Sequence, residues 1–426
     1  MKKETTSRTM NKSLSKRISK AAVGSAQRFR NLTLFPLLAK DIKEPEYIVM
    51  IDAIVDKRCV TITEVSSGGS VPNLMVTNES DKKILILDGE ELIGAKQNRV
   101  ANTTILLDAN SKTVIPVSCT EQGRWRSMSH EFSHSKTVMA PKVRKKKLMS
   151  VSHSLKSSPG TSYASDQGEV WSEIAELHSK VGTHSPTGAM HDAHESRRDD
   201  LSEYKRHFKP VDKQFGVLAF IDGKPAGADM LSLGKAFKRN FGILIESYAM
   251  EALSSSDPDR ETLAEREQAE QFLEGLPALE ESDFESVGLG RDCRYDGPEA
   301  VGAALMVDDT PVHAAFFTRD GSSDRRKSRR TGQQASQVPP GFFESVQGDG
   351  GSQSPPQNPP APWIYGGGHM DNLRQQILRD LEREMQQPGK SAAARDSLRA
   401  IHRRMLENRS NSRGESPRDK DRSETS

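Results

Sequence analysis

Between Asn31 and Arg319 the apolar residues arrive in short runs, each soon cut off by Gly, Pro, Asn or Asp. Runs this short build strands and moderate helices, and none approaches the ~20 consecutive apolar residues of a membrane span. Residues 60–65 alternate Val, Ile and Val with Thr, Thr and Glu, the pattern of a half-buried strand. Further strands are expected at 32–38, 74–77, 84–87, 103–107 and 113–117, with turn clusters at 78–81 and 108–111. Short strands at such spacing predict a sandwich or an open barrel. One helix, 48–57, interrupts them. Helices are expected again at 167–181, 186–208 and 234–253. Two hairpins follow the same pattern: 215–221 and 225–230 around Asp222-Gly223, and 301–307 and 311–317 around Asp308-Asp309. The fold class is therefore α+β, with a β-rich N-terminal half, sandwich or open-barrel-like, followed by helices and two β-hairpins.

Composition bounds the folded part. Of 426 residues, 34% are hydrophobic and 5% aromatic. Ordinary globular chains are about 45–50% apolar with glycine included, so one uniform core along the whole chain is excluded. Residues 1–30 carry nine Lys/Arg and one acid, Glu4, and read as a disordered basic arm. A transit peptide is the competing interpretation of such an arm. The folded family of elements then divides into a β-rich half, 31–122, and an α+β half, 123–320. Within the latter, 123–156 holds nine Lys/Arg and one acid and reads as an exposed basic loop. Residues 321–362 combine a basic run with Gln, Ser, Gly and Pro and read as a disordered linker. Apolar residues at helical spacing, Leu373, Ile377, Leu378, Leu381 and Met385, then Leu398, Ile401, Met405 and Leu406, predict amphipathic helical segments over 363–408. These are candidates for docking a protein partner or for packing back on the chain. Residues 409–426 read as a disordered tail.

Charge and cysteine usage narrow the function classes. Lys+Arg number 61 and Asp+Glu 59, so no global field points to nucleic acid or a membrane. Three cysteines, Cys59, Cys119 and Cys293, form no CxxC pair, which fits a reducing compartment and a cytoplasmic location. There is no nucleophile elbow, Walker loop or G-x-G-x-x-G. No motif identifies a cofactor. His130-Glu131-Phe132-Ser133-His134 matches the zinc-binding H-E-x-x-H pattern, which works only on a helix; here serines surround it and no apolar stripe accompanies it, so no metal site is assigned. His191, His194 and Glu195 have acceptable metal spacing too, but the charged residues that follow favour a solvated helix face.

Four polar motifs are denser. Asp88 to Arg99 reads DGEELIGAKQNR, Cys119 to Trp125 reads CTEQGRW, Ser165 to Trp171 reads SDQGEVW, and Ser185 to Ala189 reads SPTGA. All stand at the ends of regular elements, where sites are commonly built. Their residue types suit an anionic or nucleotide-like ligand. Lys96, Arg99 and Arg124 can meet phosphate or carboxylate. Gln97, Asn98, Gln122 and Gln167 can read sugar hydroxyls or a base edge. Trp125 or Trp171 can stack on a ring. Glu90, Glu121 and Asp166 are the acid/base candidates, and Glu169 is a further ligand contact. Cys119 has no histidine placed by sequence to activate it. The alternative is structural: Asp166 and Glu169 form a capping-box pattern, and both tryptophans suit a core.

These motifs, with SVGLG at Ser286 to Gly290, resemble the ARG and Rhodanese-Phosphatase-superfamily-associated Protein domain family, where ARG stands for ADP-ribosylglycohydrolase. The resemblance covers about residues 31–318, and His130 and His134 lie outside it. It implies association with ADP-ribosyl chemistry but no established reaction. Three functions are expected in this order. The first is binding or processing of a phosphorylated nucleoside or ADP-ribosyl group, with or without turnover. The second is a non-enzymatic adaptor or scaffold acting through the 363–408 helices. The third is RNA binding through the basic loop, which the charge balance and scarce aromatics disfavour. No membrane partner is expected.

Overall fold

A computed structural model describes residues 8–42, 44–65, 72–125, 127–157 and 162–319. The linker, helices and tail expected after Asp320 lie outside the described residues. In chain order the first elements are β1 (Arg8–Thr9), α1 (Lys12–Ser19), β2 (Ala22–Val23), β3 (Gln27–Phe29) and β4 (Leu32–Leu38). Then come β5 (Tyr47–Val49), β6 (Val60–Glu64), β7 (Asn73–Asn78), β8 (Lys83–Ile86), β9 (Glu90–Gly94), β10 (Arg99–Ala101), β11 (Ile105–Leu107), β12 (Ser111–Cys119) and β13 (Phe132–Val138). Four helices follow: α2 (Pro141–Ser157), α3 (Gln167–Val181), α4 (Met190–Ser196) and α5 (Arg198–His207). The rest is β14 (Gln214–Ile221), β15 (Lys224–Leu231), α6 (Gly234–Leu253), α7 (Arg266–Gly275), β16 (Glu280–Glu285), β17 (Arg291–Asp296), β18 (Ala300–Val307) and β19 (Thr310–Thr318). The α+β class holds.

The main sheet has ten strands in the order β1-β16-β17-β18-β19-β15-β14-β4-β2, with β3 also on β4. Both expected hairpins are at its centre. Asp222 and Gly223, and Asp308 and Asp309, all take positive φ, as the tightest hairpin turns require. Successive residues of β14 feed opposite cores: Val217 and Ala219 face one, Leu218 and Phe220 the other. A sheet covered on both faces needs such nearly continuous apolar strands.

One cover is α1 with α7, through Leu14, Ile18 and Leu273. This corrects the disordered arm expected over residues 1–30: from Arg8 onward the segment is folded. Met10, Leu14 and Ile18 recur every fourth residue and are each at most 4% exposed. Burying such side chains yields about 1.5–3 kcal/mol apiece, which goes toward the cost of ordering the segment. Asn11 caps that helix by accepting from Ser13 N at 2.8 Å, and its own N–H donates to Glu281 at 2.6 Å.

The other face is covered by α6, which also touches β5 and β13 of the smaller sheets. Fourteen of its twenty residues are buried, so it is a central helix rather than an amphipathic surface one. Beyond it, a six-stranded sheet, β13-β9-β10-β12-β7-β6, and a three-stranded one, β11-β8-β5, form a half-barrel around Ile62, Leu74, Val76, Leu92 and Ile115. The division expected at 122/123 does not separate the sheets, because β4 pairs with β14 across it.

The basic loop expected over 123–156 is instead β13 and α2. Arg144, Lys145 and Lys147 are buried, each with an acceptor waiting on a distant element, so the run packs rather than solvates. The helix expected over 48–57 is strand β5 followed by a short π-helix, Asp52–Asp56. The helix expected over 186–208 is two, broken at Arg197. No helix among the described residues is long and apolar enough to cross a membrane.

Candidate functional site

The four motifs meet. The first is strand β9, a turn and strand β10; the second continues β12 past its pairing with β10, where Arg99 stands opposite Cys119. Partner strand β7 begins opposite Pro116, so the far edge of Cys119 lacks a strand. Gln167 at the start of α3 replaces it: its side-chain oxygen accepts from Cys119 N and its amide donates to Cys119 O, both at 2.8 Å. Asp166 caps the same helix, accepting from Glu169 N at 3.0 Å. The SPTGA loop joins through Thr187, whose carbonyl accepts from Gly123 N at 2.7 Å and whose hydroxyl donates to Glu121 at 2.9 Å.

Most of the predicted ligand contacts are occupied in holding this junction together. Gln97 donates to Glu121 O at 2.9 Å and accepts from Arg99 at 3.0 Å. Arg124 donates to Ala95 O at 2.7 Å, to Asn98 at 3.1 Å, and pairs with Glu121 at 2.7 Å. Burial alone would raise the Glu121 carboxyl, but hydrogen bonds from Arg124 and Thr187 outweigh it and hold it below the usual carboxylate value. Glu121 is thus a fixed anion rather than an acid. Burial pushes the Cys119 thiol up to about 11, which leaves no thiolate near neutrality. Arg99 is wholly buried, with its Nη2 3.9 Å from Glu64. It faces the half-barrel interior and not the surface.

The rim differs. Trp125 is 52% exposed, and the Lys96 ammonium stands 5.4 Å from its ring centroid. Gln122 is exposed beside Gly188. Trp171 is only half-buried, with an unpartnered indole N–H, on α3.

Strand alternation separates the two glutamates of β9. Glu90 is sealed: one oxygen accepts from Leu87 N at 2.9 Å and the other stands 3.5 Å from His134 Nε2. Glu91 points to the opposite face, where it accepts from Thr120 at 2.8 Å and Thr137 at 3.0 Å and lies 3.7 Å from His191 Nδ1. His191 is on α4, which the Met190 N to Thr120 O bond fastens to the second motif. The sequence reading considered His191 only for metal spacing with His194 and Glu195; its pairing with Glu91 was not foreseen, and the only signal for it was the period of two along β9. His134 lies on strand β13 and His130 precedes it in an exposed turn, so the H-E-x-x-H residues lack the helix their zinc chemistry requires.

A second constellation was not foreseen. Where α2 enters between the sheets, Asp229 accepts from both Arg144 terminal nitrogens at 2.9 and 3.0 Å, from Tyr248 at 2.7 Å and from His313 at 3.3 Å. Lys147 pairs with Asp88, and Arg294 with Asp292. Three cations therefore balance three anions, all buried. Desolvation pulls the Lys147 ammonium below its ordinary value and Asp88 opposes it. Gly89, at φ +82°, belongs to this lattice: a Cβ there would meet Arg144 Cγ at 3.1 Å. The Asp88-Gly89 pair of the first motif is thus explained by packing.

The model of the ARG and Rhodanese-Phosphatase-superfamily-associated Protein domain matches residues 20–317, and the chain belongs to that family. The match begins inside the N-terminal segment that packs on the main sheet and ends in β19, so it spans all three sheets. No curated protein and no solved structure matches the chain.

Proposed function

We propose, from membership of this family as the premise, that the four-motif junction binds a phosphorylated nucleoside, such as an ADP-ribosyl group. The observation that carries the reading is Trp125. Its indole stands half in solvent at the end of the pinned second motif, where a base can stack on it. Lys96 beside the ring supplies a cation for phosphate, and Gln122 supplies polar groups for a sugar. Arg99, Arg124, Glu121, Gln97, Asn98, Gln167, Asp166 and Glu169 then act by fixing the loops, a preorganising role that lowers the entropy lost on binding. Trp171, half-buried on α3, has no part in this reading. A cytoplasmic setting fits the three unpaired cysteines.

The test is thermal shift on the full chain with ADP-ribose, NAD, ATP and inorganic phosphate. A ligand at 100 times its Kd adds ~2.7 kcal/mol to stability. The expected result is a rise in Tm with ADP-ribose that is clearly smaller in Trp125→Ala, since one stacked base is worth ~1–3 kcal/mol of the affinity. An equal shift in Trp125→Ala, or none with any nucleotide, overturns the reading. The RNA alternative is less favoured, since Arg144, Lys145 and Lys147 of the basic run are buried. The adaptor alternative rests on residues outside the described ones.

A further inference from the structure

We propose that His191, held by Glu91, is a proton-transfer group for hydrolysis of an ester bond in a ligand at the junction. The inference rests on the junction being a ligand site, but its own chemistry is argued from five residues. Glu91 has 0% exposure and sits in a strand, so its carboxylate cannot swing away. Thr120 and Thr137 hydroxyls each donate to one of its oxygens, which keeps it aimed. His191 turns Nδ1 toward that carboxylate and remains 23% exposed. At 3.7 Å the link is electrostatic, and such contacts tighten when substrate arrives. Ser135 donates to Glu91 O at 3.0 Å and locks the strand beneath. A buried carboxylate behind a half-exposed imidazole is the arrangement that orients a ring and stabilises its protonated form.

The neighbouring pair shows what is special here. Glu90 and His134 are also adjacent, but both side chains are fully buried. Lys136 N donates to His134 Nδ1 at 2.8 Å, which fixes the proton on Nε2, facing Glu90. That pair has no route to a ligand. The strand period turns Glu91 the other way, toward the partly exposed His191.

The charges around His191 support the role. Glu91 on β9 raises the imidazolium above its usual value, burial opposes this, Asp192 on its own helix adds to it and Arg198 on α5 opposes it. In the reaction, neutral His191 Nε2 takes a proton from water as the water oxygen bonds the ester carbon or phosphorus. The bond to the leaving oxygen then breaks, that oxygen keeps the electron pair, and the imidazolium returns the proton to it. Glu91 is a positioning residue that stabilises the imidazolium between the two transfers.

The experiment uses the full chain with p-nitrophenyl acetate and p-nitrophenyl phosphate, with release of p-nitrophenol followed across pH. The expected result is turnover of one ester that falls by roughly 10²–10⁴ in His191→Ala, the usual contribution of general acid–base catalysis. Glu91→Gln keeps the histidine but moves the rising limb of the pH–rate profile to lower pH. A histidine-resolved NMR titration must show the same downward movement of the His191 pKa. Equal rates in wild type and His191→Ala with both esters overturn the assignment, as does a His191 pKa unmoved by Glu91→Gln. These small esters carry no nucleobase, so their turnover reads the dyad whether or not a nucleoside stacks at the junction. Failure of nucleoside docking is thereby separated from failure of the dyad.

Discussion

Replacing Arg144 by Met removes a cation on which two sheets and two helices converge. The guanidinium is fully buried and makes two charge-assisted hydrogen bonds to Asp229, at 2.9 and 3.0 Å. It also stands 3.9 Å from Asp88 and 5.0 Å from the Phe317 ring centroid. Met refills much of the stem volume, so the loss is chiefly electrostatic. Tyr248 and His313 remain in hydrogen-bond contact with Asp229, but the guanidinium's permanent charge and its two hydrogen bonds are gone. Breaking a buried pair by removing one partner costs ~3–5 kcal/mol. At about 2 °C per kcal/mol, the low end for larger domains, Tm should fall by roughly 6–10 °C. The assay is reversible thermal or urea unfolding of the full chain, with Arg198→Ala as control. Arg198 pairs with Glu195 three residues away on an exposed face, and such a pair is worth under ~1 kcal/mol. A fall below about 2 °C in Arg144→Met, or one no larger than the control's, would refute the reasoning that this lattice joins the sheets.

Two further outcomes follow from the same structure. The Asp229 carboxyl is held well below the usual carboxylate range, because Arg144 and His313 outweigh its burial. Its stabilising contribution is therefore complete above the unfolded carboxyl value, ~3.9, and is lost as pH falls through the lower folded value. Asp229→Asn should flatten the acid side of a Tm-against-pH curve, and an unchanged acid slope would contradict this. Gly94, at φ +129°, has Ser129 Oγ 2.6 Å and Glu131 O 2.8 Å from where a Cβ would sit. Gly94→Ala should destabilise by more than ~1 kcal/mol, and a neutral result in urea unfolding would contradict the close approach.

Local signals carried the parts of the fold that were legible. Asp-Gly and Asp-Asp placed both hairpins, and Asp166 with Gly182 bounded α3 at the expected residues. Strand β4 was readable because a strand between two cores is apolar throughout. What was not legible depends on long-range partners. The cations of α2 look solvated until Asp229, Asp88 and Thr318 O arrive from other elements. The polar strands β16 and β17 lie toward one edge of the main sheet, with Glu281, Asp292 and Arg294 buried by pairing, so their composition resembles a loop or an acidic helix. The N-terminal arm was hidden by its charge, although Met10, Leu14 and Ile18 already had helical spacing.

The candidate site divides the same way. The four motifs were found as strings, and they converge. Which side chains remain open toward solvent was not readable, because it depends on the edge left by β7 and on the side to which β9 turns each glutamate. Arginines that look like phosphate ligands serve as internal ties, while Trp125, which also suited a core, is the exposed one.

The most direct measurement is a fluorescence titration of the full chain with ADP-ribose. The chain has three tryptophans, and Trp125 is the exposed one at the junction. The account predicts a saturable change that is lost in Trp125→Leu and kept in Trp171→Leu. A saturable change that survives Trp125→Leu, or no saturable change in the wild-type chain, would contradict it.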